Sequence, residues 1–139
     1  GMTTAFFSIL EPQTQIISHR GPYKGVLRYH LGLIIPAEFK ACYLKILKEH
    51  YYWEYGKSLV FDDTFLHEAH NDTNEMRVVL FVDFKRNFPF PINIFNNLIL
   101  NLIRISPFVS NAVKNIEHPS LHTSGNDLPL TGLVLSLFF

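Results

Sequence analysis

Short apolar runs divide the first part of the chain in the way that is typical of β-strands. The run 26–35 is rich in β-formers and ends at Pro36, and a second run, 58–61, leads into an acidic turn. A third run, 77–84, is almost wholly apolar. Glycine and proline occupy the intervals between these runs as turn signals. Several short strands without an intervening helical pattern favour a barrel or a jelly roll.

The periodicity of apolar residues changes after the proline-containing connector 87–91. They then recur at three- and four-residue intervals over 95–103 and again over 108–116, which predicts two helices. We therefore predict a mostly β fold, a double-stranded β-helix of the jelly-roll, cupin-like type, with two C-terminal helices packed on the sheet. The predicted divisions, within one domain overall, are a jelly-roll core at 1–86, a helical extension at 87–117 and a C-terminal tail at 118–139.

Composition and charge narrow the classes of function. The 139 residues include 12 Lys+Arg and 12 Asp+Glu, so the chain lacks the basic excess of nucleic-acid-binding proteins, and no nucleic-acid partner is expected. The single Cys42 forms no internal disulfide, and the first twenty residues carry no secretory signal, so a cytoplasmic location is expected. Asn and Arg interrupt the longest apolar stretch, 92–105, which argues against a spanning helix but leaves peripheral contact with the inner face of a membrane open.

Histidine and arginine residues on the predicted strands are the first candidates for chemistry. His19 precedes a Gly-Pro turn, Arg28 and His30 share one strand face, and Arg77 opens the most hydrophobic strand ten residues after His67. A buried guanidinium requires an anionic partner, because an unpaired buried charge is very costly. Imidazoles on two strands of a barrel can hold Fe(II), while a guanidinium can bind a cosubstrate carboxylate through paired hydrogen bonds. A histidine followed by an arginine about ten positions later, as His67 is followed by Arg77, is typical of the distal half of the 2-oxoglutarate oxygenase pattern.

Five ordered segments carry a more specific resemblance. They are HRGP at 19–22, LRYHLGL at 27–33, WEYGK at 53–57, FDDTFLHEAHND at 61–72 and RVVLFVD at 77–83. Together they closely resemble the aspartyl/asparaginyl β-hydroxylase family, which also includes bacterial lipid A acyl-chain hydroxylases. The resemblance covers residues 8–83, and weaker similarity to bacterial members continues through 107–108 and 112–115.

The resemblance implies a metal site with two protein ligands. His19 and His67 would be the iron ligands, and Asp63 would orient a metal-bound water. Most iron oxygenases of this superfamily carry a carboxylate two residues after the first histidine, but here that position is Gly21. It is similar to the two-histidine variant of this particular family, which leaves one coordination position to water.

The resemblance also implies a cosubstrate site. Ser8 and Arg77 would hold the distal carboxylate of 2-oxoglutarate, and Arg28 and His30 would meet its end near the metal. The implied activity is that of an Fe(II)- and 2-oxoglutarate-dependent dioxygenase, which uses dioxygen to hydroxylate a C–H bond. The implied substrate is a peptidyl Asp or Asn or a lipid acyl chain.

Purely structural interpretations of these residues stay open at this point. The acidic turn 62–63 could be a solvated turn, and Arg28 could be a surface partner of Glu38 or Glu49. Trp53 is most simply a packing residue. His70 could face the substrate or simply be exposed.

A second class of function rests on the short segment before Ser8. Oxygenase domains of this family bring additional strands upstream, and a double-stranded β-helix without them exposes a sheet edge. Either a partner chain, such as a second copy in a homo-oligomer, covers that edge, or the chain is a truncated, non-catalytic cupin-like module that binds a metal or another ligand. The segment LPLTG at 128–132 matches a cell-wall sorting signal but lacks its usual flanks, so an extra strand or pairing with a neighbouring molecule is favoured for the tail.

Overall fold

Two antiparallel β-sheets form the body of the computed structural model, which describes residues 1–104 and 134–136. One sheet has the strand order β6-β3-β8-β1-β9 and the other β2-β7-β4-β5. This architecture confirms the predicted mostly β, jelly-roll class. The elements are β1 (Met2–Leu10), β2 (Thr14–His19), β3 (Val26–Ile34), a 3₁₀ helix (Phe39–Ala41), β4 (Cys42–Ile46), β5 (Glu49–Tyr52), β6 (Ser58–Phe61), β7 (His67–Asn71), β8 (Arg77–Lys85), α1 (Ile92–Arg104) and β9 (Val134–Ser136).

Three strands lie where the apolar runs predicted them. β3 and β6 coincide with the predicted runs to within one residue, and β8 extends one residue beyond its run. β8 pairs with β3 on one side and β1 on the other, so it is central in its sheet, and apolar residues occur on both of its faces beside Arg77 and Asp83.

β3 turns its more polar face inward. His30 and Gly32 are buried, whereas Leu31 and Leu33 on the opposite face are only half-buried. A polar residue on the buried face requires partners there, and this places the chemistry of the strand inside the protein.

The core lies between the two sheets. Its buried members come from both of them and from the segment after β5: Leu10, Cys42, Leu44, Trp53, Phe61, Ala69 and Val79. Burial raises the pKa of the Cys42 thiol to about 11, so this cysteine acts as a packing residue rather than a nucleophile.

The tail contributes a strand to the N-terminal edge. β9 pairs antiparallel with β1, with Ser8 opposite Val134 and Phe6 opposite Ser136. The expectation of an extra strand in the tail is therefore confirmed.

Helix α1 confirms the first of the two predicted helices. It belongs to a second compact unit that begins at Arg86, separate from the unit that contains the nine strands of the described residues. Within it the Asn96 amide donates to the Arg86 carbonyl oxygen at 3.2 Å. No helix in the described part is long and apolar enough to span a bilayer. The second predicted helix at 108–116 and the LPLTG segment lie outside the described residues, and the proposed divisions of the chain stay predictions.

Candidate metal and cosubstrate site

A cavity of about 110 Å³ between the sheets collects six of the seven predicted site residues. They come from five strands and are separated by up to 69 positions in the sequence: Ser8, His19, Arg28, His30, His67 and Arg77. Apolar side chains complete the wall: Ile16, Leu44, Trp53, Phe61, Ala69 and Phe81. The seventh predicted residue, Asp63, contacts the site through Arg28.

His19 and His67 form a pair across the β2–β7 ladder. A bulge between Ile16 and His19 shifts the register so that the two histidines are opposite each other, with ring centroids 4.3 Å apart. Each Nδ1 lies 2.8 Å from a backbone carbonyl oxygen two residues earlier, that of Ile17 or Phe65. A carbonyl oxygen only accepts, so each Nδ1 carries the proton and each Nε2 keeps a lone pair for a metal.

The environment of His67 favours the metal-binding form. Burial lowers the pKa of His67, only partly offset by its bond to the Phe65 carbonyl, so the imidazole is neutral at neutral pH. His19 is exposed, so the cavity is open on the side where His19 lies. Among the described residues, no cluster of three or more His, Cys, Asp or Glu side chains arranged to hold a metal is found. Two imidazoles that each keep an Nε2 lone pair fit an ion that completes its coordination from cosubstrate and water.

Gly21 leaves space for the Asp63 carboxylate because it has no side chain. The Gly21 N–H donates to the Asp63 carbonyl oxygen at 2.7 Å, and a Cβ at position 21 would overlap the Asp63 carboxylate. Asp63 is 3% exposed, so the interpretation as a merely solvated turn residue is wrong for Asp63. Asp62 does act as a turn residue, because its Oδ1 accepts from Thr64 N at 3.0 Å. A side chain in the usual His-x-carboxylate position is excluded here because another carboxylate already fills that space.

Arg28 connects Asp63 to a residue that sequence reasoning missed, Asp83. Its guanidinium binds Asp83 through Nε–Oδ1 at 3.1 Å and Nη2–Oδ2 at 3.3 Å, and its Nη2 also lies 3.0 Å from Asp63 Oδ2. The interpretation of Arg28 as a surface partner of Glu38 or Glu49 is therefore wrong. Burial raises the pKa of Asp63, and the attraction of Arg28 opposes that rise.

Arg77 is a buried cation at the start of β8. It is 1% exposed, its guanidinium lies over the Trp53 ring at 4.5 Å, and its Nε finds no acceptor in residues 1–104 or 134–136. Within the described residues no carboxylate makes an ion pair with it. Burial lowers its pKa to about 10, which still leaves it charged at neutral pH. Such a group fits a carboxylate ligand, and the hydroxyl-bearing Ser8 lines the same cavity.

His30 presents a second buried donor. Its Nδ1 accepts from Trp53 Nε1 at 3.2 Å, so Nε2 carries the proton, and the described residues offer this Nε2 no acceptor. Burial, with the nearby Arg77 and Arg28 charges, lowers the pKa of His30 well below its ordinary value. A neutral imidazole N–H and a guanidinium thus line one cavity, where an anionic ligand would satisfy both.

His70 lies outside this site. Alternation along β7 puts His67 and Ala69 on the cavity side and His70 on the opposite face, where it stacks on Tyr43 with ring centroids 4.9 Å apart. Asp83, by contrast, was accessible to sequence reasoning. Counting in twos along β8 from Arg77 reaches Phe81 and then Asp83 on one face.

Comparison with known proteins gives one family and several named relatives. A family model described as aspartyl/asparaginyl beta-hydroxylase matches residues 1–87. An ornithine lipid ester-linked acyl 2-hydroxylase of Rhizobium tropici is 44% identical over 115 residues, which cover 83% of this chain and 41% of the relative. The human aspartyl/asparaginyl beta-hydroxylase is 43% identical over 77 residues, covering 55% of this chain and 10% of that protein.

The chain thus spans less than half the length of these curated relatives. Among solved structures, a cupin domain of an XRE family transcriptional regulator from Enterobacter cloacae aligns with a TM-score of 0.49 and 16% identity, over 61% of this chain and 85% of that chain.

Proposed function

Because the chain belongs to the aspartyl/asparaginyl beta-hydroxylase family, we propose that it is an Fe(II)- and 2-oxoglutarate-dependent hydroxylase. The proposal rests on one observation. A single cavity holds two histidines with fixed tautomers beside the buried Arg77, which makes no ion pair with the part of the chain that the structure describes. The first feature suits a metal and the second suits a small dicarboxylate.

The proposed reaction consumes 2-oxoglutarate, dioxygen and a substrate C–H group. When bound, iron and 2-oxoglutarate would supply the oxygen chemistry: one atom of dioxygen would enter the succinate formed as 2-oxoglutarate loses carbon dioxide, and the other would enter the substrate as a hydroxyl. His19 and His67 offer their Nε2 lone pairs to the metal. Arg77 and Ser8 bind the distal carboxylate, and the His30 Nε2–H donates toward the other end.

Arg28 and Asp63 act as a charged pair at the edge of the site. Two of the Arg28 nitrogens are held by Asp83 and Asp63, which fixes the guanidinium plane on the cavity wall. Neither carboxylate contacts Nη1 within the described residues, which leaves this nitrogen for a ligand. The buried Asp63 Oδ1 has no partner in the described part of the chain and is the acceptor for a metal-bound water.

We propose a lipid acyl chain as the substrate. The match to the Rhizobium tropici acyl hydroxylase covers 115 of the 139 residues, so it includes α1. Apolar side chains on α1, among them Phe95, Leu98 and Leu102, are exposed, and these are typical of a helix that contacts lipid. A peptidyl Asp or Asn is the alternative substrate, and the human relative's name is what supports it.

Turnover of 2-oxoglutarate tests the reaction without knowledge of the substrate. Succinate formation is measured with added Fe(II) for the unsubstituted chain, for His67→Ala and for His70→Ala, which removes a histidine from the outer face of the same strand. We expect the His67 variant to lose turnover to background and the His70 variant to retain it. Equal turnover by all three chains would contradict the proposal, and metal binding without succinate would favour a non-catalytic cupin-like module.

The substrate class is tested separately. The chain is incubated with ornithine-lipid vesicles or with an Asp- and Asn-containing peptide, and mass spectrometry records the gain of one oxygen atom. We expect the gain in the acyl chain. A gain in the peptide alone, or failure to sediment with the vesicles, would contradict the lipid assignment.

A further inference from the structure

Trp53 contacts both of the buried donors that the proposed cosubstrate requires. Its indole Nε1 donates to His30 Nδ1 at 3.2 Å, and its ring lies under the Arg77 guanidinium at 4.5 Å. The side chain is 2% exposed and belongs to the core cluster. We propose that Trp53 is a positioning residue for 2-oxoglutarate, which sets the His30 tautomer and the Arg77 plane together. This inference rests on the proposed function.

The hydrogen bond to His30 decides which nitrogen faces the ligand. A neutral imidazole carries one proton, and an indole N–H can only donate, so Nδ1 must be the acceptor and Nε2 the donor. Burial and the neighbouring arginines keep His30 neutral. Without the indole N–H, the proton distributes over both nitrogens, and part of the population turns a lone pair instead of a donor toward an anionic ligand.

The ring contact restrains Arg77. Stacking on an aromatic face is a favourable setting for a guanidinium and leaves the in-plane N–H groups for hydrogen bonds. It also gives the buried cation a favourable contact before any ligand arrives. Because one indole makes both contacts, the two donors keep a fixed relative position.

A close backbone contact brings Trp53 to this place. Gly32, two residues after His30 on β3, accepts from Gly56 N at 2.9 Å and donates to the Lys57 carbonyl at 3.1 Å. A Cβ at position 32 would overlap the Glu54 backbone carbonyl, next to Trp53. Any side chain at position 32 therefore displaces segment 53–57 from β3, so glycine is required here for Trp53 to reach His30.

Two substitutions separate the two contacts. Trp53→Phe keeps an aromatic face for Arg77 and removes the donor to His30, whereas Trp53→Leu removes both. We expect the dissociation constant of 2-oxoglutarate, measured by calorimetry with Mn(II) as a redox-inactive metal, to rise about threefold to tenfold in the first variant. It should rise roughly a further tenfold in the second. Val79→Ala is the control, because it removes buried volume from the same core without changing either donor.

The tautomer of His30 is a second readout that needs neither metal nor activity. Long-range ¹H–¹⁵N NMR should show protonated Nε2 in the unsubstituted chain and a mixture in Trp53→Phe, with Val79→Ala unchanged. The indole N–H signal of the single tryptophan in the unsubstituted chain should also shift when 2-oxoglutarate is added. This measurement needs no variant, so it tests the contact even if a Trp53 variant does not fold.

The outcomes distinguish this inference from the proposed function. If the unsubstituted chain does not bind 2-oxoglutarate, both are overturned. If it binds, and the dissociation constants and the His30 tautomer are the same in the Trp53 variants as in the control, Trp53 is only a packing residue. A weakened affinity together with a changed tautomer supports the positioning role.

Discussion

Replacing Gly21 by alanine tests the steric relation that gives this site its two-histidine character. A Cβ at position 21 would have all three carboxylate atoms of Asp63 within 2.5 Å, and separations under 3.0 Å are essentially never tolerated. Asp63 has little room to withdraw, because its side chain is 4% exposed and is held by Arg28 at 3.0 Å. The methyl group must therefore displace either the ion pair or the backbone of the turn.

The size of the effect follows from the ion pair and the packing. Opposite charges 3.0 Å apart attract by roughly 5.5 kcal/mol at an effective dielectric constant of about 20, before the cost of burying them is subtracted. Burial raises the pKa of Asp63 despite Arg28, so that cost is substantial. Overpacking adds about 1–3 kcal/mol. We expect Gly21→Ala to lower the free energy of unfolding by about 2–3 kcal/mol.

Urea denaturation followed by circular dichroism measures this change, with an unchanged slope as evidence of an intact native state. The matched variant is Asp63→Ala, which removes the overlapping atoms. In the double variant the methyl group has space. The double variant should therefore lose about 1.5 kcal/mol less stability than the sum of the losses of the two single variants. A single Gly21→Ala variant within about 0.5 kcal/mol of the unsubstituted chain, or strictly additive losses, would refute the reasoning.

Three further predictions concern other groups in the core and the site. Asp83→Asn should destabilise the chain by about 1–3 kcal/mol in the same urea assay, because Arg28 loses a paired, charge-assisted contact; an unchanged midpoint would exclude that role. Burial lowers the pKa of His30 and of His67, so as the pH falls the unfolded chain binds protons at a higher pH than the folded chain does. The free energy of unfolding should therefore fall as the pH drops below about 6.5. A flat profile between about pH 7 and about pH 5.5 would contradict this. Cys42, with a pKa of about 11, should react with iodoacetamide only after unfolding, and rapid labelling of the native chain would show that it is accessible.

The sequence predicts this fold best where one period dominates. β3 and β8 are nine residues long and rich in apolar residues, and the acidic turn that follows Phe61 marks the end of the four-residue β6, so their bounds follow from the pattern. β5 has no such signal, since all four of its residues are exposed at a sheet edge. Its existence depends on pairing with β4, a tertiary property that local sequence does not encode.

The candidate site, too, was predictable from the sequence only in part. The resemblance supplied the residue identities, and period-2 geometry placed Arg28 and His30 on one face. The partners of Arg28 depended on register, because Arg28 faces Asp83 only through the β3–β8 pairing. The overlap between Gly21 and Asp63 depended on a turn packed against another strand's end, which no single-segment pattern contains.

The location of the metal tests the central claim most directly. Crystals grown without oxygen in the presence of Fe(II) and 2-oxoglutarate would be measured at the iron absorption edge, so that an anomalous difference peak identifies iron by element. We predict one peak at bonding distance from the Nε2 atoms of His19 and His67, with density for 2-oxoglutarate reaching from it to Arg77. An iron peak elsewhere, or none between these two histidines at saturating metal, would contradict the account.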